Sequence, residues 1–341
     1  MSGWEYWEDW SSPTKSLFPC LRELTILSCP KLIKKLLTYL PSLTKLFVGN
    51  CRKLEFTLLR LPSLKKLTVD ECNETVLRSG IELTSLTELT VSGILELIKL
   101  QQGFMRSLGG LQALKFSECE ELTCLKCLPD GMMRNSNGSS NSCVLESLEI
   151  TECSSLICLP KGQLPTTLKK LIIGECENLK SLPEGMMHCN SIATTSTMDM
   201  CALEYLSLNM CPSLIGFPRG RLPITLKELY ISNCEKLESL PEGIMHYDST
   251  NVVALRSLAI SHCSSLISFP RGKFPSTLEG LNIWDCEHLE SISEEMFHST
   301  NNSFQSLSIA RYPNLRAYQI AFTTSQIYIL QIIKIWNYCL R

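Results

Sequence analysis

No stretch of this chain reaches the roughly 20 apolar residues that a helix needs to cross a bilayer, so no membrane span is expected. The opening residues, MSGWEYWEDW, lack the basic-then-apolar order of a secretory signal, and none is expected. Charge of one sign is lacking too. Lys and Arg number 32 against 34 Asp and Glu, a net charge of -2, and there is no dense Lys/Arg run. That excludes a general attraction to nucleic acid or anionic membrane. A G-x-x-x-x-G-K-[ST] phosphate loop is missing as well. Gly272-Lys273 is followed by Phe274 and has no glycine five residues before Gly272, so no nucleotide or other cofactor is expected in this chain. Nor do polar residues converge in the pattern of a catalytic centre, and the chain reads as a non-enzyme.

Cysteine, by contrast, is plentiful, at 18 of 341 residues, and its placement is informative. The motif L-x-x-L-x-I-x-x-C recurs along the chain, as in Leu168-Lys-Lys-Leu171-Ile-Ile173-Gly-Glu-Cys176. Its first leucine stands at Leu21, Leu43, Leu64, Leu86, Leu111, Leu145, Leu168, Leu203, Leu226, Leu255 and Leu278, and Phe304-Gln-Ser-Leu307-Ser-Ile309 closes the series. The ninth position is Cys29, Cys51, Cys72, Cys119, Cys153, Cys176, Cys211, Cys234, Cys263 and Cys286, with Ile94 and Tyr312 as exceptions. Side chains repeating at one position stack about 4.8 Å apart across parallel strands, whereas a disulfide wants Cβ atoms nearer to about 3.8 Å. These cysteines therefore read as a buried ladder of reduced, small hydrophobes, which favours a reducing, cytoplasmic location.

The apolar/polar alternation within L-x-x-L-x-I is the period-two pattern of a strand with one buried face. A lone strand cannot bury that face, so successive copies must stack side by side. The expected fold is α/β: a curved, right-handed solenoid with a parallel β-sheet on the concave face and an irregular, loop-rich convex side. Residues 18–315 form the array of about 12 repeats. Residues 1–17, with Trp4, Trp7 and Trp10, read as the end of a preceding repeat or a cap, and 316–341 as a degenerate tail.

From Leu145 onward the repeats come in pairs of a short and a long member. Short members end in turns such as Phe217-Pro218-Arg-Gly220 and Phe269-Pro270-Arg-Gly272, and long members in Leu182-Pro183-Glu-Gly185 or Leu240-Pro241-Glu-Gly243. Proline presets φ for such a turn and glycine supplies the permissive position after it.

Several residues invite a chemical reading and do not sustain it. Cys124-Leu-Lys-Cys127 is a lone C-x-x-C with no second pair or flanking histidine at ligand spacing. His188, His246 and His298 recur at matching places because the block was duplicated, and no metal is expected. His262 and Cys263 are adjacent, so their side chains diverge to opposite faces of a strand and cannot act as a nucleophile-base pair.

What remains is surface. The non-core positions of each motif, the second, third, fifth, seventh and eighth, are expected to line the concave face. Phe47, Tyr205, Tyr230 and Trp284 would be exposed aromatics there, the usual anchors of protein interfaces. With Glu149, Glu152, Glu175, His262 and Asp285 they are the candidate protein-binding residues.

Trp4-Glu-Tyr-Trp7-Glu, the run Phe18-Pro-Cys-Leu-Arg-Glu-Leu24-Thr-Ile26-Leu-Ser-Cys29-Pro-Lys-Leu32 and the L-P-x-G turns resemble the leucine-rich-repeat region of plant nucleotide-binding disease-resistance proteins of the coiled-coil type. The resemblance covers about residues 1–315. It implies a region that recognises a pathogen effector or guarded host protein and contacts an ATP/ADP-switching domain, itself missing from this chain. Leucine-rich-repeat adaptors of the F-box type also carry a ninth-position cysteine. A helix-forming segment follows it there, however, where this chain has the L-P-x-G turn.

Overall fold

The computed structural model describes residues 18–33, 39–54, 61–77, 83–98, 108–123, 144–159, 164–183, 186–187, 202–241, 243–246, 253–290, 292, 294–297 and 303–311. The chain divides into two units, Met1–Lys170 and Leu171–Arg341. Each unit is a leucine-rich-repeat solenoid with one five-residue strand per repeat.

The first unit carries β1 (Glu23–Leu27), β2 (Lys45–Gly49), β3 (Lys66–Asp70), β4 (Glu88–Ser92), β5 (Ala113–Ser117) and β6 (Ser147–Thr151). The second carries β7 (Lys170–Gly174), which opens at the boundary, then β8 (Tyr205–Asn209), β9 (Glu228–Ser232), β10 (Ser257–Ser261), β11 (Gly280–Trp284) and β12 (Ser306–Ala310). Within each unit strand order follows chain order, and the pairing is parallel. Among the described residues no α-helix occurs, only 3-10 turns at Glu74–Leu77 and Glu294–Phe297.

Register follows the motif residue for residue. Leu24 faces Leu46 and Ile26 faces Val48 across β1 and β2, as Leu229 faces Leu258 and Ile231 faces Ile260 across β9 and β10. The fourth and sixth motif positions are buried in every strand but β1, where Leu24 is half-buried. The first leucine and a further leucine three residues after the ninth position, as in Leu54, Leu179 and Leu237, complete the interior of a typical repeat. Each such side chain contributes about 1.5–3 kcal/mol by leaving water.

The strand exit is the most regular feature of the backbone. In all twelve repeats the eighth residue is left-handed, with φ between 44° and 61° from Ser28 through Gly93 to Arg311. This turns the chain inward yet keeps one more rung of the ladder. The eighth N–H donates to the seventh carbonyl of the next repeat, Asn50 to Asp70 at 2.9 Å and His262 to Trp284 at 2.9 Å. The ninth residue then points into the core, and its carbonyl accepts the N–H of the leucine three residues on, as in Leu54 to Cys51 at 3.1 Å.

Left-handed backbone costs a side chain with a Cβ roughly 1–2 kcal/mol, and a β-branched residue is an outlier there. At Glu118 (φ 53°) the Glu118→Val variant should therefore lose about 1–2 kcal/mol in urea unfolding, while Glu118→Gly holds wild-type stability. Equal stability of the two variants would contradict the backbone account.

Candidate recognition surface

Two sets of residues from the repeat carry the candidate site: the inward thiols, which shape the strand exits, and the outward strand positions between the leucines. All ten ninth-position cysteines are buried, and none is in a disulfide. Each Sγ–H donates to the carbonyl two residues earlier at 3.2 to 3.4 Å, from Cys29 to Leu27 through Cys286 to Trp284. The thiol thereby bonds a carbonyl at the bend, where the backbone leaves strand geometry. Burial pushes Cys72 from its ordinary 9.0 up to about 11. The hydrogen bond each donates to the next cysteine, and then burial, raise Cys119, Cys211 and Cys263, while the same bond lowers its acceptors Cys153, Cys234 and Cys286. Held as thiols, Cys72, Cys119, Cys211 and Cys263 are poor nucleophiles and poor metal ligands. Among the described residues no group of three His, Cys, Asp or Glu could hold a metal ion. Cys124, Cys127, His188 and His298 lie outside the described residues, as do Trp4, Trp7, Trp10 and the 316–341 tail.

The candidate aromatics differ from the expectation of open exposure. Trp284 is exposed, at 49%, but Phe47, Tyr205 and Tyr230 are half-buried. The reason is lateral packing along the sheet. A Cβ placed on Gly49 would lie 2.8 Å from the Phe47 ring and 2.7 Å from Leu27, so the phenylalanine lies over the bare glycine backbone. Tyr205 on β8 and Tyr230 on β9 bring their ring centres to 5.5 Å in a tilted pair. The Tyr230 hydroxyl donates to Glu228 Oε2 at 2.9 Å, and burial raises it above the usual phenol value. Trp284 Nε1–H donates to Ser308 Oγ at 3.0 Å, which fixes the indole across β11 and β12.

The charged candidates fall into rows set by register. Glu149 on β6 accepts from Lys115 Nζ on β5 at 2.6 Å, since the two are register partners. Glu152, Glu175, His262 and Asp285 are all eighth-position residues, so they stand at strand exits on left-handed backbone and not on the strands themselves. Glu152, Glu175 and His262 are exposed and Asp285 is half-buried. Asp285 Oδ2 takes both His262 Nε2 and Arg311 Nη1 at 3.1 Å, joining the exits of three repeats. Glu149 and Glu152 belong to the first unit and Glu175 to the second. His262 and Cys263 do diverge, one exposed and the other buried.

The motif reading missed the left-handed exit. Asn50, Asn233, Gly93 and Asp285, residue types that tolerate positive φ, were the available signal. It also missed the floor beside the tyrosines. Ser257, Ala259, Gly280, Asn282, Ser306 and Ser308 occupy the third and fifth positions of β10 to β12, leaving a low surface next to Tyr230.

No protein-family model matches the chain. It is 30% identical to a disease resistance protein of Arabidopsis thaliana over 226 residues, 64% of this chain, and 29% identical to an RPP13-like disease resistance protein of the same plant over 171 residues, 50% of this chain. In both cases the match spans 14% of the relative's length. Among solved structures, the leucine-rich repeat domain of the type III effector XopL shares 22% identity, with 59% of this chain and 70% of that one covered, at a TM-score of 0.36. A leucine-rich repeat protein of Bacteroides ovatus shares 15%, with 89% and 83% covered, at 0.31. By its own repeat and parallel sheet the chain is a leucine-rich-repeat solenoid, and part of it is similar to part of two plant disease resistance proteins. Among the described residues no helix is long and apolar enough to cross a membrane.

The raised thiol value of Cys72 sets an alkaline trend. Below pH 9 both states hold the proton. Between 9.0 and about 11 the unfolded thiol ionises first, so stability falls, levelling once the folded thiol also ionises. Replacing it by Cys72→Val should remove roughly 2 kcal/mol of that alkaline decline in denaturation midpoints followed from pH 8 to 11. An unchanged decline would show that Cys72 is not buried as a thiol.

Proposed function

We propose that the chain is a protein-recognition module of plant defence, acting in the cytoplasm and binding a pathogen effector or a guarded host protein through its outward strand positions. It carries out no chemistry and needs no cofactor. In a longer receptor the same repeats would contact a nucleotide-binding switch domain, where ATP or ADP would reside. The observation that carries this reading is the placement of variation. The fourth, sixth and ninth positions hardly change from repeat to repeat, while the third, fifth, seventh and eighth hold Tyr, Trp, Glu, Lys, Ser and Asn in no repeating order.

An interface of this kind draws its affinity from a few aromatic anchors with a polar rim. Tyr230 and Trp284 suit that role because each is held by a hydrogen bond within the sheet, so little side-chain entropy is lost on docking. The low floor of serine, alanine and glycine beside them admits a protruding side chain from the partner. Similarity to disease resistance proteins supports the defence context, and the free thiols support a reducing compartment.

An interaction screen against effectors and host proteins tests the proposal. Tyr230→Ala and Trp284→Ala should each weaken capture of the true partner about tenfold or more, with Glu177→Ala, in an exposed turn off the strands, close to wild type. A triple Tyr205→Ala, Tyr230→Ala, Trp284→Ala variant that folds and binds every partner unchanged would remove these anchors.

A further inference from the structure

We propose that the connections after β8 and β10 form a second interaction surface in the second unit, which takes an acidic segment of a partner protein. This surface is separate from the strand positions above, and the proposal does not rest on them. The two connections repeat one turn, Pro218-Arg219-Gly220-Arg221 and Pro270-Arg271-Gly272-Lys273. Gly220 and Gly272 share the same φ of 128°, a region closed to side chains with a Cβ. Each turn therefore presents its two bases on either side of a fixed glycine.

The segment 243–246 lies between the two turns and ties them together. His246 and Lys273 exchange backbone hydrogen bonds, at 2.8 Å and 3.0 Å. A Cβ on Gly272 would lie 2.7 Å from the His246 carbonyl oxygen, and one on Gly243 would lie 3.4 Å from Arg221 Cβ. The four bases thus sit on one braced stretch of surface. His246 adds no positive charge to it at neutral pH, since burial and then Arg221 hold its imidazole below the usual value.

Lys180 and Lys236 also stand without an ion pair among the described residues, whereas three other bases of the unit are paired. Lys227 is paired with Glu204 at 2.7 Å, Arg256 with Glu279 at 3.4 Å and Arg311 with Asp285 at 3.1 Å. Arg219, Arg221, Arg271 and Lys273 are exposed and have no ion pair among the described residues. In a chain of net charge -2 the uncompensated group is local, so its complement is a local run of acid. Ile215 and Ile267, exposed at 51% and 54%, stand six residues upstream of Arg221 and Lys273 respectively. Exposed isoleucines on the same connections as the bases match the mixed apolar and charged surface of a protein segment, and match a polyphosphate chain poorly.

The experiment measures fluorescence anisotropy of a labelled peptide of repeating Glu-Glu-Leu against the full chain, with heparin as the comparison polyanion. The wild type should bind the peptide. Arg219→Glu with Arg271→Glu should weaken that binding about tenfold or more, while Lys227→Glu with Arg256→Glu, the same change in net charge on paired bases, leaves it within about twofold. Arg219→Gln with Arg271→Gln, which introduces no new charge repulsion, should also lose affinity while keeping wild-type thermal unfolding. No peptide binding by the wild type, equal losses in the two double reversals, or tighter binding of heparin than of the peptide would overturn the proposal.

Discussion

A five-residue strand with only two inward side chains depends on its neighbours, and the neighbours depend on how each strand ends. The eighth residue is where that dependence is concentrated. Its left-handed backbone sends the chain inward after a short strand while its N–H still reaches the next repeat. A right-handed or extended residue there would carry the strand onward. The ninth side chain would then miss the core and the hydrogen bond of its thiol to the bend would be lost. Register, repeat spacing and the thiol ladder all follow from that one bend.

Because the bend is met by the backbone and the ladder by buried thiols, the outward positions are released from structural duty. That release is incomplete, as Phe47 shows by lying over Gly49 and Tyr205 by pairing with Tyr230. Aromatics on a parallel sheet cover their neighbours before they meet a partner. Charged residues likewise settle into register pairs, Lys115 with Glu149 half-buried and Lys66 with Glu88 more open to water, where such a pair is worth little to stability. Trp284, the low floor beside Tyr230 and the bases of the two Pro-Arg-Gly turns, which have no ion pair among the described residues, are what the repeat leaves over for other molecules.

The strands were legible because three signals agreed: period-two alternation, a fixed register of leucines and a rare residue at a fixed distance after them. Every marker leucine from Leu43 to Leu278 is buried as that reading required. The strand exit was less legible, since Glu118, Met210 and Arg311 occupy left-handed backbone with residue types that give no hint of it, and only comparison with Asn50, Gly93 and Asn233 would have exposed the shared conformation. For the candidate surface, sequence placed the residues on the right positions but could not state their exposure. Half-burial of Tyr230 arises from a diagonal neighbour, Tyr205, that stands 25 positions earlier in the chain. That Arg219 and Arg271 have no ion pair among the described residues was equally hidden, because ion pairing depends on which side chains adjacent repeats bring together.

Native-state hydrogen exchange tests the strand-exit constraint most directly. The amides of Asn233 and His262 should be protected to the same degree as those of Ile231 and Ile260, because each donates to the following strand. Exchange of Asn233 and His262 at the rate of the surface turns, with Ile231 and Ile260 still protected, would contradict the account.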